Sequence, residues 1–212
     1  MGRYIVIDGP IAVGKTTFSS RLAEALGARV LLEEGEDNPF LRRFYENPEK
    51  YAFATQIFFL LNRYRQQQEL AQHELFDQGV VCDYLFAKDE IFARLNLDDA
   101  EYALYQQIYR MLDARLPRPD LVVYLEARSE VLWKRLQRRD RPYERRLAPS
   151  YLERVAEAYR QYFHHYTDSP LLVVESSAID FVERPDDFAH LLKEIQAMRR
   201  GTQVYVPLSS LR

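Results

Sequence analysis

Lys15 and Thr16 close the stretch DGPIAVGKTT, which follows the apolar run YIVI near the start of a 212-residue chain. Gly9, Gly14, Lys15 and Thr16 fit the spacing G-x-x-x-x-G-K-[ST]. Such a loop turns its backbone so that successive N–H groups, here around Ala12, Val13, Gly14 and Thr17, point at phosphate oxygens. The lysine puts a positive charge at the transferred end of a triphosphate, and the threonine hydroxyl is suited to Mg²⁺. The expected ligand is a nucleoside triphosphate with its Mg²⁺.

Three other groups have residue types that do chemistry. In LLEEGEDNPF, Glu33 and Glu34 end a strand-like run. A carboxylate at the C-terminal end of a parallel strand faces the binding crevice, where either one could take a proton from an acceptor hydroxyl. Between Lys134 and Arg146, seven basic residues stand against two acidic ones. Arg135, Arg138 and Arg139 share a helical face there, and guanidinium groups so gathered repel one another unless an anion offsets them. A lid over a phosphoryl group in transfer fits that pattern. In YAFATQIFFLLNRYRQQQ, Gln56 and Arg63 are seven residues apart and so on one helix face. A glutamine amide on an apolar face can read a nucleobase edge through its paired donor and acceptor.

Placing these groups is the task of an alternating set of strands and helices. Continuous apolar runs at Tyr4–Ile7, Arg29–Leu32, Val80–Cys82, Leu121–Tyr124 and Leu171–Val174 read as strands buried on both faces. Between them the pattern predicts a helix opening at Lys15, a helical span over 38–74, and two helices over 86–115. Further helices are expected at 129–138, 149–166 and 186–200. The alternation predicts an α/β fold, a five-stranded parallel sheet wrapped by helices, in one domain over 1–212. The tail TQVYVPL within 201–212 reads either as an edge strand or as a loose end.

Composition narrows the class. The chain is 47% hydrophobic and 29% charged, ordinary for a globular domain, and its net charge of −3 excludes the strongly basic footprint of a general nucleic-acid binder. A single cysteine, Cys82, excludes an internal disulfide framework and fits a reducing compartment. No apolar run reaches membrane-spanning length and no secretion leader is read, so a cytoplasmic protein is expected. Cys82 and the four histidines read as packing or surface residues.

The residues together resemble the bacterial deoxynucleoside kinases, relatives of deoxycytidine and deoxyguanosine kinases. The resemblance is carried by GPIAVGKT, EEGEDNPFLRRFYENPEKYAFATQIFFLLNR, RLQRRDRPYE with YLERVAEAY, and SSAIDF, in that order over nearly the whole chain. It implies ATP as phosphate donor, Mg²⁺, a deoxynucleoside as small-molecule acceptor, and nucleotide salvage. It implies Glu33 as the base on the 5′-hydroxyl. Tyr45 would bond the sugar 3′-hydroxyl with Glu144 as its carboxylate partner, Gln56 would read the base, and Phe92 would stack on it. Arg135, Arg139 and Arg141 match the lid pattern R-x-x-x-R-x-R, within a lid over about 138–146. The SSAIDF loop, with Asp180 and Phe181, would contact the donor's adenine. A homodimer through helices near 50–75 and 95–115 is implied, and a purine is the implied acceptor base.

One segment departs from the family. Its members have an acidic residue followed by Arg-Ser after the third strand, whereas this chain has CDYLFAKDEIFA. Asp83 can be the acidic member and a Mg²⁺ ligand. No arginine follows it; Lys88 or Arg63 could supply the charge, and a one-residue gap lets either Lys88 or Asp89 fall at the base-reading position. A thymidylate-type monophosphate kinase and a catalytically silent homologue are the competing readings. The first would require an Asp-Arg-Tyr where CDYL stands.

Overall fold

In the computed structural model, which describes residues 2–34, 37–72, 78–113, 116–179 and 184–207, the first apolar run forms β1 (Tyr4–Asp8) and the phosphate loop leads into α1 (Lys15–Leu26). Then come β2 (Arg29–Leu31), α2 (Leu41–Glu46), α3 (Pro48–Gln72), β3 (Val80–Cys82), α4 (Lys88–Asn96) and α5 (Asp99–Asp113). The second half holds β4 (Leu121–Glu126), α6 (Ser129–Arg139), a 3₁₀ turn at Pro142–Arg146, α7 (Pro149–His164), β5 (Leu171–Glu175), α8 (Pro185–Ala197) and β6 (Thr202–Tyr205). No helix among the described residues is long and apolar enough to cross a membrane.

The strands form one parallel sheet in the order β2-β3-β1-β4-β5-β6. The expected five-stranded sheet is therefore six-stranded. The sixth strand pairs Thr202 to Tyr205 with Leu171 to Val174 of β5. It carries no apolar run because it is an edge strand with Thr202, Gln203 and Val204 exposed. The helical span expected over 38–74 is also two helices. Pro48 has no N–H to donate and pushes the preceding residue out of the helical region, and Asn47 sits at φ −146°, ψ 83°. Tyr45 and Gln56 consequently belong to different helices.

Both faces of the sheet are covered, which is why the strands read as unbroken apolar runs. Ile5 and Ile7 pack with Phe18 and Leu22 of α1, Leu136 of α6 and Leu191 of α8. Their neighbours Tyr4 and Val6 point the other way, to Leu70 of α3, Ile91 of α4, and Tyr159 and Phe163 of α7. A third cluster joins α3, α4 and α5 through Leu60, Ala93 and Tyr105, and makes those helices one block beside the sheet.

The connection leaving β1 runs towards β2 and the one leaving β3 runs towards β4, in opposite directions from neighbouring strands. At such a switch point a crevice opens beyond the C-terminal ends of the strands. Gly9 enters that crevice at φ 153°, and a Cβ there would lie 2.3 Å from the Leu125 carbonyl oxygen of β4. That neighbour is backbone and cannot swing aside. Gly9→Ala should cost more than about 2 kcal/mol and weaken triphosphate binding, read as a fall in melting temperature and a rise in nucleotide Kd. An unchanged melting temperature would contradict this close approach.

Candidate active site

The loop between β1 and α1 is held by a carboxylate at its root. Asp8 is wholly buried; its Oδ1 accepts the Gly9 N–H at 2.7 Å and its Oδ2 accepts the Leu85 N–H at 2.9 Å. The Tyr159 hydroxyl also donates to Oδ1, at 3.3 Å. Asp8 thus ties the loop to the segment after β3, and burial raises its carboxyl above the ordinary value. Within the loop Ala12 takes a left-handed φ of 65° and Gly14 a φ of 107°. Lys15 lies over the loop, its Nζ donating to Gly9 O at 2.6 Å and Pro10 O at 2.9 Å.

At the start of α1 the Thr16 hydroxyl donates to Asp83 Oδ2 at 2.8 Å, and Asp83 Oδ1 accepts the Glu33 N–H at 2.6 Å. One side chain therefore joins the phosphate loop to the segment after β2. A hydroxyl and a carboxylate oxygen converging beside an anion cradle suit Mg²⁺, which takes few protein oxygens and completes its shell with phosphate and water.

Glu33 is fixed from both sides. Arg63 donates to Oε1 through Nε at 2.8 Å and again through Nη2, while Lys88 Nζ donates to Oε2 at 2.5 Å. Arg63 Nη1 also pairs with Asp89 Oδ1. The other Asp89 oxygen accepts from Gln56 Nε2 at 2.7 Å and from the Tyr105 hydroxyl at 3.2 Å. Burial alone would raise Glu33, but Lys88 and Arg63 outweigh it and hold its carboxyl far below the usual carboxylate range. Asp89 lies deeper, and there burial wins over Arg63, lifting its carboxyl to about 6.

Two adjoining cavities meet at this cluster. The larger, about 630 Å³, is lined by Ala12, Gly14, Lys15, Thr16, Thr17 and Asp83 on one side and by Arg135, Arg139 and Arg141 on the other. The smaller, about 140 Å³, is lined by Tyr45, Gln56, Arg63, Phe92 and Tyr143. Ile11, Glu33, Lys88, Arg141 and Glu144 line both. Tyr45 stacks on Tyr143 with ring centres 5.8 Å apart.

The sequence matches the family model for deoxynucleoside kinase over residues 5–199. The chain belongs to the deoxynucleoside kinase family. It is 33% identical over 200 residues to the deoxyguanosine kinase of Bacillus subtilis (strain 168), spanning 92% of this chain and 97% of that one. It is 32% identical over 212 residues to the deoxyadenosine kinase of Dictyostelium discoideum, spanning 97% and 84%. The deoxyadenosine kinase of M. mycoides, solved with dCMP and a flexible dCDP, superposes with a TM-score of 0.80 over 92% of this chain and 99% of that one, at 24% identity. At that identity the likeness carries the fold. As a deoxynucleoside kinase the chain transfers a phosphoryl group from a nucleotide to a deoxynucleoside, which sets aside the monophosphate-kinase and silent readings.

In this kinase the expected residues divide between the two cavities. Gly14, Lys15, Thr16, Asp83, Arg135 and Arg139 line the larger cavity, and Tyr45, Gln56, Arg63 and Phe92 the smaller. Glu33, Lys88, Arg141 and Glu144 stand where the two meet. Gly9 and Val13 act behind the cavity wall, Val13 being buried and donating its N–H to Pro10 O. Asp180 and Phe181 lie outside the described residues. The arginines are engaged in different ways. Arg135 braces the loop through Val13 O at 3.0 Å and Ser176 O at 2.9 Å. Arg139 grips Glu144 with two N–H groups, and Arg141 donates to the Tyr143 hydroxyl at 3.1 Å. Asp8, central to the site, has no signal in the sequence beyond a charge that ends an apolar run, and Asp89, open with Lys88 for the base-reading position, is the one that pairs with Gln56 and Arg63.

Lys15 carries a pH dependence that can be measured. Burial first, then the like charge of Lys88, lowers its ammonium to about 8, against the raising influence of Asp8, Glu33 and Asp83. In the free protein Lys15 therefore loses its proton as pH rises through about 8, and a bound triphosphate favours the charged form. At pH about 8.5, nucleotide binding should take up roughly three-quarters of a proton. Calorimetry in buffers of differing ionisation enthalpy reads that uptake, which Lys15→Met should abolish. Binding without proton uptake at that pH would contradict the assignment.

Proposed function

We propose that this kinase transfers the γ-phosphoryl group of ATP to the 5′-hydroxyl of a deoxynucleoside, with the triphosphate in the larger cavity and the acceptor in the smaller. The carrying observation is that Glu33 lines both cavities and has a different cation on each oxygen, Arg63 on Oε1 and Lys88 on Oε2, whereas Glu144, which also lines both, has its two oxygens taken by Arg139. A reaction joining a triphosphate to a hydroxyl requires such a shared group at the boundary.

The roles proposed are those that the family resemblance implies. Backbone N–H groups of the loop and Lys15 hold the phosphates, and Thr16 with Asp83 would hold Mg²⁺. When bound, the cation screens charge between the phosphate oxygens. Glu33 accepts the proton of the 5′-hydroxyl as the P–O bond to the acceptor forms and the bond to ADP breaks. Its carboxyl is held so low that it is a poor base at rest. This suits a largely dissociative transfer, in which the hydroxyl proton leaves late and positioning matters more than basicity. Tyr45 and Glu144 take the sugar 3′-hydroxyl, Gln56 reads the base edge, and Phe92 packs against its face. Residues 138–146 act as a lid whose Arg139 and Arg141 offset phosphoryl charge. Asp180 and Phe181 are assigned to the donor's adenine.

The names of the relatives make purine deoxynucleosides the first acceptors to test, in a cytoplasmic salvage role. A homodimer is proposed through α3 and α5, where Leu61, Leu104 and Met111 are 46%, 49% and 62% exposed and Leu104 and Met111 share one helix face.

The experiment is a panel of deoxynucleosides with labelled ATP, scored for monophosphate. At least one should be phosphorylated, and Glu33→Gln should lower kcat by about 10²–10⁴ while the protein still binds ATP. No product from any deoxynucleoside, or a Glu33→Gln rate near wild type, would overturn the reading. For the assembly, sedimentation should give twice the chain mass, and Leu104→Glu with Met111→Glu should halve it. A wild-type monomer would refute the dimer.

A further inference from the structure

The segment after β3 leaves a charge unaccounted for, and position 84 does not supply it. Tyr84 is fully buried, its hydroxyl donates to Gln66 Oε1 at 3.0 Å, and its ring packs in the cluster between the sheet and α7. It lines neither cavity. Arg63 does not supply the charge either. Three of its nitrogens are engaged by Glu33 and Asp89, and it lines only the smaller cavity.

Lys88 is placed differently. It opens α4 and is 6% exposed, although a buried lysine is rare and a cation at a helix N-terminus is disfavoured by the helix dipole. Its Nζ donates to Glu33 Oε2 at 2.5 Å and lies 6.0 Å from the Phe92 ring centre. Among the described residues Glu33 is the one hydrogen-bond partner of the Lys88 side chain, while an ammonium carries three donors. Two N–H groups therefore remain for something else at the junction of the two cavities. A buried cation with donors to spare, at a helix end that also favours anions, is an anion site.

We propose that Lys88 is a catalytic residue of the transfer. It holds Glu33 towards the acceptor hydroxyl, and its remaining N–H groups bond the phosphoryl group as that group passes from the donor oxygen to the acceptor oxygen. A helix-borne lysine thereby does the work expected of an arginine after the third strand. The inference rests on the proposed placement of donor and acceptor.

The test is kinetic, on the full chain, using the best deoxynucleoside from the panel with ATP. Lys88→Met should lower kcat by about 10²–10³ with KM for ATP changed only a few-fold, and Lys88→Arg should recover at least about tenfold of the loss. The decisive comparison is made in the Glu33→Gln background. If Lys88 acted only by holding Glu33, Lys88→Met would cost nothing further there; contact with the phosphoryl group requires a further loss of about tenfold or more. Melting curves check folding, and Lys88→Gln replaces the Met variant if that one does not fold, with the same thresholds. A Lys88→Met kcat within about threefold of wild type, or no further loss in the Glu33→Gln background, overturns the proposal. A wild type inactive on every deoxynucleoside would instead overturn the reading of function.

Discussion

Keeping the Glu33 carboxylate charged at the edge of a low-dielectric interior is the constraint on which the site depends. A charge taken out of water costs several kcal/mol unless it is paired, so Glu33 requires Arg63 and Lys88. Arg63 is itself buried and requires a second carboxylate, which Asp89 provides, and Asp89 in turn requires Gln56 and Tyr105. The network closes only when α3, α4 and α5 are packed as one block. The 25-residue length of α3 follows from this, because it carries Gln56 and Arg63 across the site and Leu70 into the core. Removing one member of such a cluster strands a buried charge, at a cost of about 3–5 kcal/mol. Binding site and fold are therefore stabilised by the same contacts.

A second pair of carboxylates sets the seam between the strands. Asp8 and Asp83 stand at the ends of neighbouring parallel strands, and each uses both oxygens to join segments far apart in sequence. Asp8 is 77 residues from its partner Leu85, and Asp83 is 67 from Thr16 and 50 from Glu33. The strand order brings them together. With β3 inserted between β2 and β1, the loops after all three strands converge at one crevice. Asp83 also fixes the backbone at Glu33, so that this residue, and not Glu34, meets Arg63 and Lys88.

That distinction marks what was legible in the sequence. The phosphate loop was legible because its geometry is local and its glycines are needed for backbone reasons. Gln56 and Arg63 were legible because helical periodicity alone puts them on one face, and both do converge on Asp89. The choice between Glu33 and Glu34 was not legible from strand position, since it depends on a hydrogen bond from fifty residues away. The choice between Lys88 and Asp89 was open for the same reason, because the partners of Asp89 lie on α3 and α5. The tail TQVYVPL reads equally as an edge strand or a loose end because an exposed edge strand, which it proves to be, needs no apolar run. The break between α2 and α3 lies at Pro48, one proline within a span otherwise rich in helix-forming residues.

The larger cavity shows why composition could not reveal a polyanion site. Among the described residues its lining holds five cations, Lys15, Lys88, Arg135, Arg139 and Arg141, and five acidic groups, Glu33, Glu34, Asp37, Asp83 and Glu144. Those residues carry no formal excess of positive charge, within a chain of net charge −3. Attraction for phosphate must then come from direction and not from excess charge. The start of α1 lines the cavity through Lys15, Thr16 and Thr17, and Asp83, Glu33 and Glu144 are turned aside into pairs with Thr16, Arg63 and Arg139. In a low-dielectric crevice, oriented dipoles and positioned cations act over a few ångströms where a net charge would be screened. Lys15 is held by Gly9 O and Pro10 O and Arg139 by Glu144, partners that an incoming phosphate must replace. Such exchange keeps the cations ordered and moderates the net gain on binding, which suits a site that must release its product.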